Sequence, residues 1–167
     1  MPLRRLLEST DCTVQDFEIA AEQKFWEGFS LIVSGESGAG IYLLGFSAEM
    51  LLKNASFRLD RSVRPTTSVE PRLKPAKAWL SKRRPTISHE SYHSLWFWMN
   101  YLREYRRFLG RPLPAQVDDP LVRQVRSLYA TWWIEMRYRP NAASQRDAQI
   151  VYDAVVWIRD NYFALWR

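Results

Sequence analysis

The chain holds two histidines, and both fall within five residues, His89-Glu90-Ser91-Tyr92-His93. The string matches H-E-x-x-H, in which two imidazoles one helical turn apart bind zinc and the glutamate activates the bound water. On a helix, His89 and His93 would share a face. A tetrahedral site needs a further ligand, and Glu135, on a later helix, is the best candidate. Glu104 would lie along the same helix, too far away to close the site. No alternating strand pattern precedes the motif, so the sheet that positions substrate in most zincins is missing. A second pair of chemical interest is Glu49 and Lys53, four residues apart with the acid N-terminal to the base, a favourable arrangement on a helix. Its ordinary reading is a solvated ion pair on the helix side, where such pairs are weak.

The elements that must carry these residues can be read from spacing. Ile41, Leu44, Ala48, Leu51, Leu52, Ala55 and Leu59 recur at three- and four-residue steps, which lines one face of a core helix over residues 41–59. Before it, residues 13–34 form a long helix with Thr13 as cap, Asp16 and Glu18 at its positive end, and Phe17, Ala21, Phe25, Phe29 and Ile32 as its apolar stripe. Gly35, Gly38 and Gly40 punctuate the turn between the two; without a following Gly-Lys-Ser/Thr they do not make a phosphate loop. Residues 61–75, with Pro65, Pro71 and Pro75, read as a loop, and Ala76–Lys82 as a short helix carrying Trp79. Thr86 or Ser88 caps the next helix, which runs through Leu95, Trp98, Met99, Leu102 and Leu109 to Gly110. A further helix starts near Asp118 or Asp119, with Pro120 in its first turn, and continues to about Tyr138. Ser144 caps the last, whose apolar side holds Ile150, Val151, Ala154, Val155, Ile158, Tyr162 and Leu165. Trp132 and Trp133 cannot both face one core on a single helix, and Trp96 and Trp98 are likewise split between faces. The expectation is all-α: an up-down bundle of five main helices, six with the short one.

Composition narrows the class. At 167 residues and 47% hydrophobic content the chain reads as one globular domain over residues 1–167. Cys12 is the single cysteine, which excludes an intramolecular disulfide and a cysteine-based zinc site and fits a reducing cytoplasm. No signal-peptide pattern or long uncharged span is found, so no membrane partner is expected. The net charge of +6 is uneven: Arg58 to Arg84 holds nine bases against Asp60 and Glu70, a local +7, and the remainder is −1. That stretch, a basic insert at about 61–88, would attract a polyanion such as RNA, or meet the acidic first helix of a second copy. Eight Trp and eight Tyr suit either a nucleic-acid surface or an oligomer interface.

Gly45-Phe46-Ser47-Ala48-Glu49-Met50-Leu51-Leu52-Lys53 resembles the second helix of HEPN-domain proteins, compact helical domains of prokaryotic toxin and defence systems. Tyr92-His93-Ser94-Leu95-Trp96 is similar to the His-bearing start of the third long helix in one branch of that family. Met136-Arg137-Tyr138-Arg139-Pro140 resembles the Arg-Tyr-Pro segment that leads into its last helix, here Ala148 to Trp166. The resemblance implies a HEPN-like bundle, a homodimer, and a nucleotide- or RNA-related role, which in toxins of the catalytic branch is metal-independent RNA cleavage. Catalytic members carry Arg-x(4–6)-His; Arg84 and Arg83 precede His89 by four and five intervening residues. A guanidinium would stabilise phosphate charge while an imidazole moves the 2′-hydroxyl proton. Pro85 departs from the pattern, because it opposes holding Arg84 and His89 rigidly on one helix, and the motif falls before the third helix. The resemblance thus marks Arg83, Arg84, His89 and His93 as catalytic candidates, and Glu49, Lys53, Lys82, Arg137 and Tyr138 as nucleotide- or RNA-binding candidates, with no cofactor. His93 as a hydrogen-bonded helix-start tie, and Arg137 as a buried anchor for Glu49 or Glu135, are the structural alternatives. Two other functions stay open: an interaction module pairing with a nucleotidyltransferase-like antitoxin, and a zinc hydrolase through His89, His93 and Glu135.

Overall fold

The computed structural model describes residues 12–132 and 143–167. Among them are seven α-helices and no strand: α1 (Val14–Val33), α2 (Ser37–Arg58), α3 (Glu70–Arg83), α4 (Leu95–Phe108), α5 (Ala115–Thr131), α6 (Gln145–Asp160) and α7 (Tyr162–Trp166). A single 3-10 turn, Pro85–Ile87, follows α3. The long helices pack as a bundle around α2, which touches α1, α4, α6 and α7. No described helix is long and apolar enough to cross a membrane.

Local chemistry sets the helix ends. Thr13 and Asp16 form a reciprocal capping box: the Asp16 amide donates to the Thr13 hydroxyl at 3.2 Å and the Thr13 amide donates to the Asp16 carboxylate at 2.8 Å. The Thr13 hydroxyl, which donates to the same carboxylate at 2.7 Å, and then the Thr13 amide favour the ionised Asp16 and hold its pKa below the usual range. Ser144 and Asp147 repeat the device at α6. Between α1 and α2 the chain turns through Gly35 at φ +91°, a left-handed conformation that glycine adopts without steric cost. The two helices then meet backbone to backbone. A Cβ on Gly28 would lie 2.9 Å from the Gly40 carbonyl oxygen, and one on Gly40 would lie 2.5 Å from Ile32 Cγ1. An added methyl at either position overpacks the crossing, at a cost of about 1–3 kcal/mol.

Three expectations about elements are corrected. The proline-rich stretch is not wholly a loop, since α3 begins at Glu70. Pro71 sits in its first turn, where no intrahelical donor is required, and Pro75 one turn on leaves only the Pro71 carbonyl without its donor. Likewise α5 starts at Ala115, which moves Pro120 out of its first turn. The cap of α4 is neither Thr86 nor Ser88 but Ser94, whose hydroxyl accepts from the Phe97 amide at 3.2 Å. Thr86 lies in the 3-10 turn, and residues 88–93 are irregular chain laid over the bundle.

The core explains why α2 is central. Ile41, Leu44, Ala48, Leu52 and Ala55 have no exposed surface, and the opposite sides of the same helix are buried too, including Ser47, Glu49, Lys53, Asn54 and Ser56. A helix enclosed on all sides must satisfy its polar groups internally. Ser47 donates to the Ala21 carbonyl at 2.8 Å, Ser56 to the Leu52 carbonyl at 2.7 Å, and Asn54 ties α2 to the Val14 carbonyl of α1. Lys53 donates to one oxygen of Glu49, Oε1.

Candidate functional site

Glu49 and Lys53 sit one turn apart on α2, 2% and 5% exposed, with the Lys53 ammonium donating to Glu49 Oε1. The solvated reading of this pair is therefore overturned, because α4 and α1 close over the face that carries it. Lys53 Nζ lies 5.7 Å from the ring centre of Phe17 and 5.6 Å from that of Trp98, so aromatic faces replace much of its lost water. His93 approaches the same oxygen from outside: its Nδ1 is 3.0 Å from Glu49 Oε1, while the ring stays 52% exposed. Glu49 Oε2 is buried and has no hydrogen-bond partner among the described residues.

The segment that delivers His93 is pinned on several sides. Trp98 Nε1 donates to the Tyr92 carbonyl at 2.8 Å, and Lys77 Nζ donates to the Glu90 carbonyl at 2.8 Å while lying over the Tyr92 ring. The Tyr129 hydroxyl donates to Glu90 Oε1 at 3.2 Å. An ionised carboxylate only accepts, so the Glu49 contact places the imidazole proton on Nδ1 and leaves the Nε2 lone pair free. Lys53 donates to the same carboxylate oxygen from the buried side. The arrangement is an oriented imidazole with a buried counter-charge, able to accept a proton from a group at the surface.

The remaining candidates lie elsewhere. His89, with a side chain 76% exposed, is 3.6 Å from Glu90 and on no helix, so the shared helical face that H-E-x-x-H requires does not form. His89 and His93 instead engage different carboxylates, and no group of three His, Cys, Asp or Glu among the described residues could hold a metal. Arg84 donates to Glu104 Oε1 through Nε at 3.0 Å and Nη2 at 2.7 Å, and Arg107 reaches the same oxygen at 2.8 Å. Burial alone would raise the Glu104 pKa; the hydrogen bonds and charges of the two arginines outweigh it and hold the carboxyl below its ordinary value. Arg83 stacks on Trp79 at 4.0 Å. Neither arginine forms a hydrogen bond to His89 among the described residues, and the turn at Pro85–Ile87 separates them in the chain. Lys82 is exposed at the end of α3. Arg137, Tyr138, Glu135, Trp133 and the Arg-Tyr-Pro segment lie outside the described residues. Trp132 turns inward, 5% exposed, with its Nε1 donating to the Tyr42 carbonyl, and Trp98 is buried where Trp96 is only partly so.

Phe17 and Trp98, the walls around Lys53, fall on apolar stripes by their spacing, and no sequence signal sets them apart from other core aromatics. Cys12 lies within the electrostatic reach of Lys53, yet burial, then the Asp16 charge, push its thiol above the ordinary value. Nucleophilic thiolate chemistry is thereby disfavoured. Comparisons with family models, with characterised proteins and with solved structures find no match for this chain. The class defined by fold is thus an all-α bundle, with a buried Glu-Lys pair and a half-exposed histidine as its most chemically capable cluster.

Proposed function

We propose that the protein is a HEPN-like domain acting on RNA, with His93 as the proton-transfer group of a metal-independent cleavage. One observation carries this reading: a half-exposed imidazole held through Nδ1 by a carboxylate that is itself buried and charge-compensated. In the proposed reaction Nε2 of His93 removes the 2′-hydroxyl proton, the 2′-oxygen attacks phosphorus, and the bond to the 5′-oxygen breaks. The products are a 2′,3′-cyclic phosphate and a 5′-hydroxyl, the leaving oxygen taking its proton from water. Glu49 and Lys53 are positioning residues here, since only His93 reaches the surface. The basic stretch from Arg58 to Arg84 supplies attraction for the polyanion.

The test is cleavage of a labelled single-stranded RNA by chelator-treated protein, with products resolved by end chemistry. Loss of a general base typically costs 10²–10⁴-fold, so His93→Ala should fall about a hundred-fold or more while His89→Ala retains activity. Activity that survives His93→Ala would sink the assignment. The near-complete enclosure of Glu49 and Lys53 favours a second reading, in which the trio is a clamp tying residues 88–93 to α2 and the protein is an interaction module for a nucleotidyltransferase-like partner. Wild-type protein that leaves RNA intact, together with a lower melting temperature in His93→Ala, would favour that reading.

A further inference from the structure

On the far side of α4 from its packing with α5, a second cluster has a different chemistry. Phe97, Tyr101, Tyr105 and Phe108 form a ladder along α4, consecutive rings lying 6.4, 5.5 and 6.0 Å apart with interplanar angles of 21°, 14° and 25°. Trp79 of α3 meets Tyr101, Tyr105 and Phe108 edge-on, and Arg83 lies over both Trp79 and Phe108. Phe108, the last ring, is 60% exposed. Beside the ladder is a cleft of about 330 Å³ lined by Leu59, Asp60, Arg61, Tyr105, Leu109 and Arg111.

The charges of this cleft are unequal. Asp60 is engaged by Ser62 and by Arg72 at 3.4 Å, and these contacts keep its carboxyl below the usual range although burial would raise it. Arg61 and Arg111 form no ion pair among the described residues, whereas Arg84, Arg103 and Arg107 all do. Behind them Arg106, 6% exposed, gives its hydrogen bonds to the carbonyls of Arg111 and Leu165 rather than to any carboxylate. Two unneutralised guanidiniums, a third buried behind them and an exposed ring at the end of a stack are the components of a backbone-and-base site.

We infer that this face, built from the outer rings of α4 and the chain just past α2 and α4, is a binding site for single-stranded nucleic acid, with phosphate held between Arg61 and Arg111 and a base stacked on Phe108. The site is separate from His93 and needs no 2′-hydroxyl, so it does not depend on cleavage. It would give the RNA reading a place of attachment, but it stands or falls by binding alone.

The experiment titrates a fluorescent 20-nucleotide DNA, which the His93 route cannot cleave, and the RNA of the same sequence, into the full chain over a range of salt. Each phosphate neutralised on a single strand contributes about 0.7 to the slope of log affinity on log salt, so the Arg61→Ala/Arg111→Ala variant, which gives up the phosphate held between them, should lose about 0.7 in slope. An Arg123→Ala/Arg146→Ala variant makes the same change of net charge at exposed positions elsewhere and should keep its slope. Phe108→Ala should weaken binding about ten-fold on both polymers, with the melting temperature checking that α3 stays docked. Equal slope loss in the two double variants, binding of RNA alone, or no binding even at low salt would overturn the proposal. Because the DNA arm is blind to cleavage, its failure leaves the His93 reading to its own test.

Discussion

Glu49 and Glu104 each gather two basic side chains on one oxygen, Oε1, yet they make different kinds of site. Glu104 lies on α4 with its side chain 18% exposed, and both partners are guanidiniums, Arg107 on the same helix and Arg84 just past the end of α3. Guanidiniums do not give up a proton near neutral pH, so the cluster can hold two helices together but cannot transfer charge. Glu49 is 3% exposed by side chain, and its partners are an ammonium sealed inside and an imidazole with a second nitrogen facing out. The same count of ion pairs therefore gives a fastening in one place and an oriented base in the other. What separates them is the chemical type of the outermost partner, imidazole against guanidinium, and the depth of the carboxylate.

The two clusters should differ most in what they contribute to stability. Lys53→Ala leaves Glu49 buried without its ammonium partner, and unfolding in urea should show a loss of about 3–5 kcal/mol. Replacing both members, as Glu49→Leu with Lys53→Met, should recover most of it, because an apolar pair of similar volume avoids the desolvation cost altogether. A double variant as unstable as the single one would mean the pair is not acting as a buried ion pair. At the other cluster, Arg84 is 42% exposed by side chain, and Arg84→Ala should cost only about 0.2–1 kcal/mol in the same assay. Similar losses at Lys53 and Arg84 would erase the distinction drawn from burial.

The smallest effect is one of pH. The Glu104 carboxyl lies below its ordinary value of 4.5 in the folded chain, so the unfolded chain binds its proton first as pH falls. Its contribution is present above about pH 4.5 and is lost as pH drops through the lower folded value. Glu104→Gln should therefore flatten the acid limb of a stability-against-pH curve below 4.5 and leave the neutral region's slope unchanged. An acid limb as steep as wild type would remove Glu104 from the account.

Much of the scaffold is legible in the sequence and much of the site is not. Thr13 and Ser144 were readable as caps, and the three- and four-residue spacing marked α1, α2, α4 and α6, because these signals depend only on neighbours within a few residues. The i,i+4 spacing of Glu49 and Lys53 is equally local, and it looks the same whether the pair is solvated or enclosed. Enclosure comes from α1 and α4, carrying Phe17 and Trp98, and one helix's periodicity says nothing about who covers its other faces. The start of α4 was misplaced for a related reason. Thr86, Ser88 and Ser94 are all competent caps; the bond from Trp98 Nε1 to the Tyr92 carbonyl holds residues before Ser94 out of the helix. Arg84 was paired with His89 by spacing, while its partner in space is Glu104, twenty residues away.

The close crossing of Gly28 and Gly40 also bears on the order in which the molecule assembles. α1 and α2 are joined by three residues, and they share the most extensive contact of any helix pair among the described residues. Closing so short a connection costs little chain entropy, and contacts local in sequence form quickly. Lys53 loses its water only when α4, more than forty residues further along, brings Trp98 over it. The hypothesis that follows is a folding nucleus in the α1–α2 hairpin, with the ionic desolvation deferred until after the barrier. In chevron terms, Gly28→Ala should mainly slow folding and Lys53→Ala mainly speed unfolding, and the reverse partition would place the charge burial in the nucleus itself.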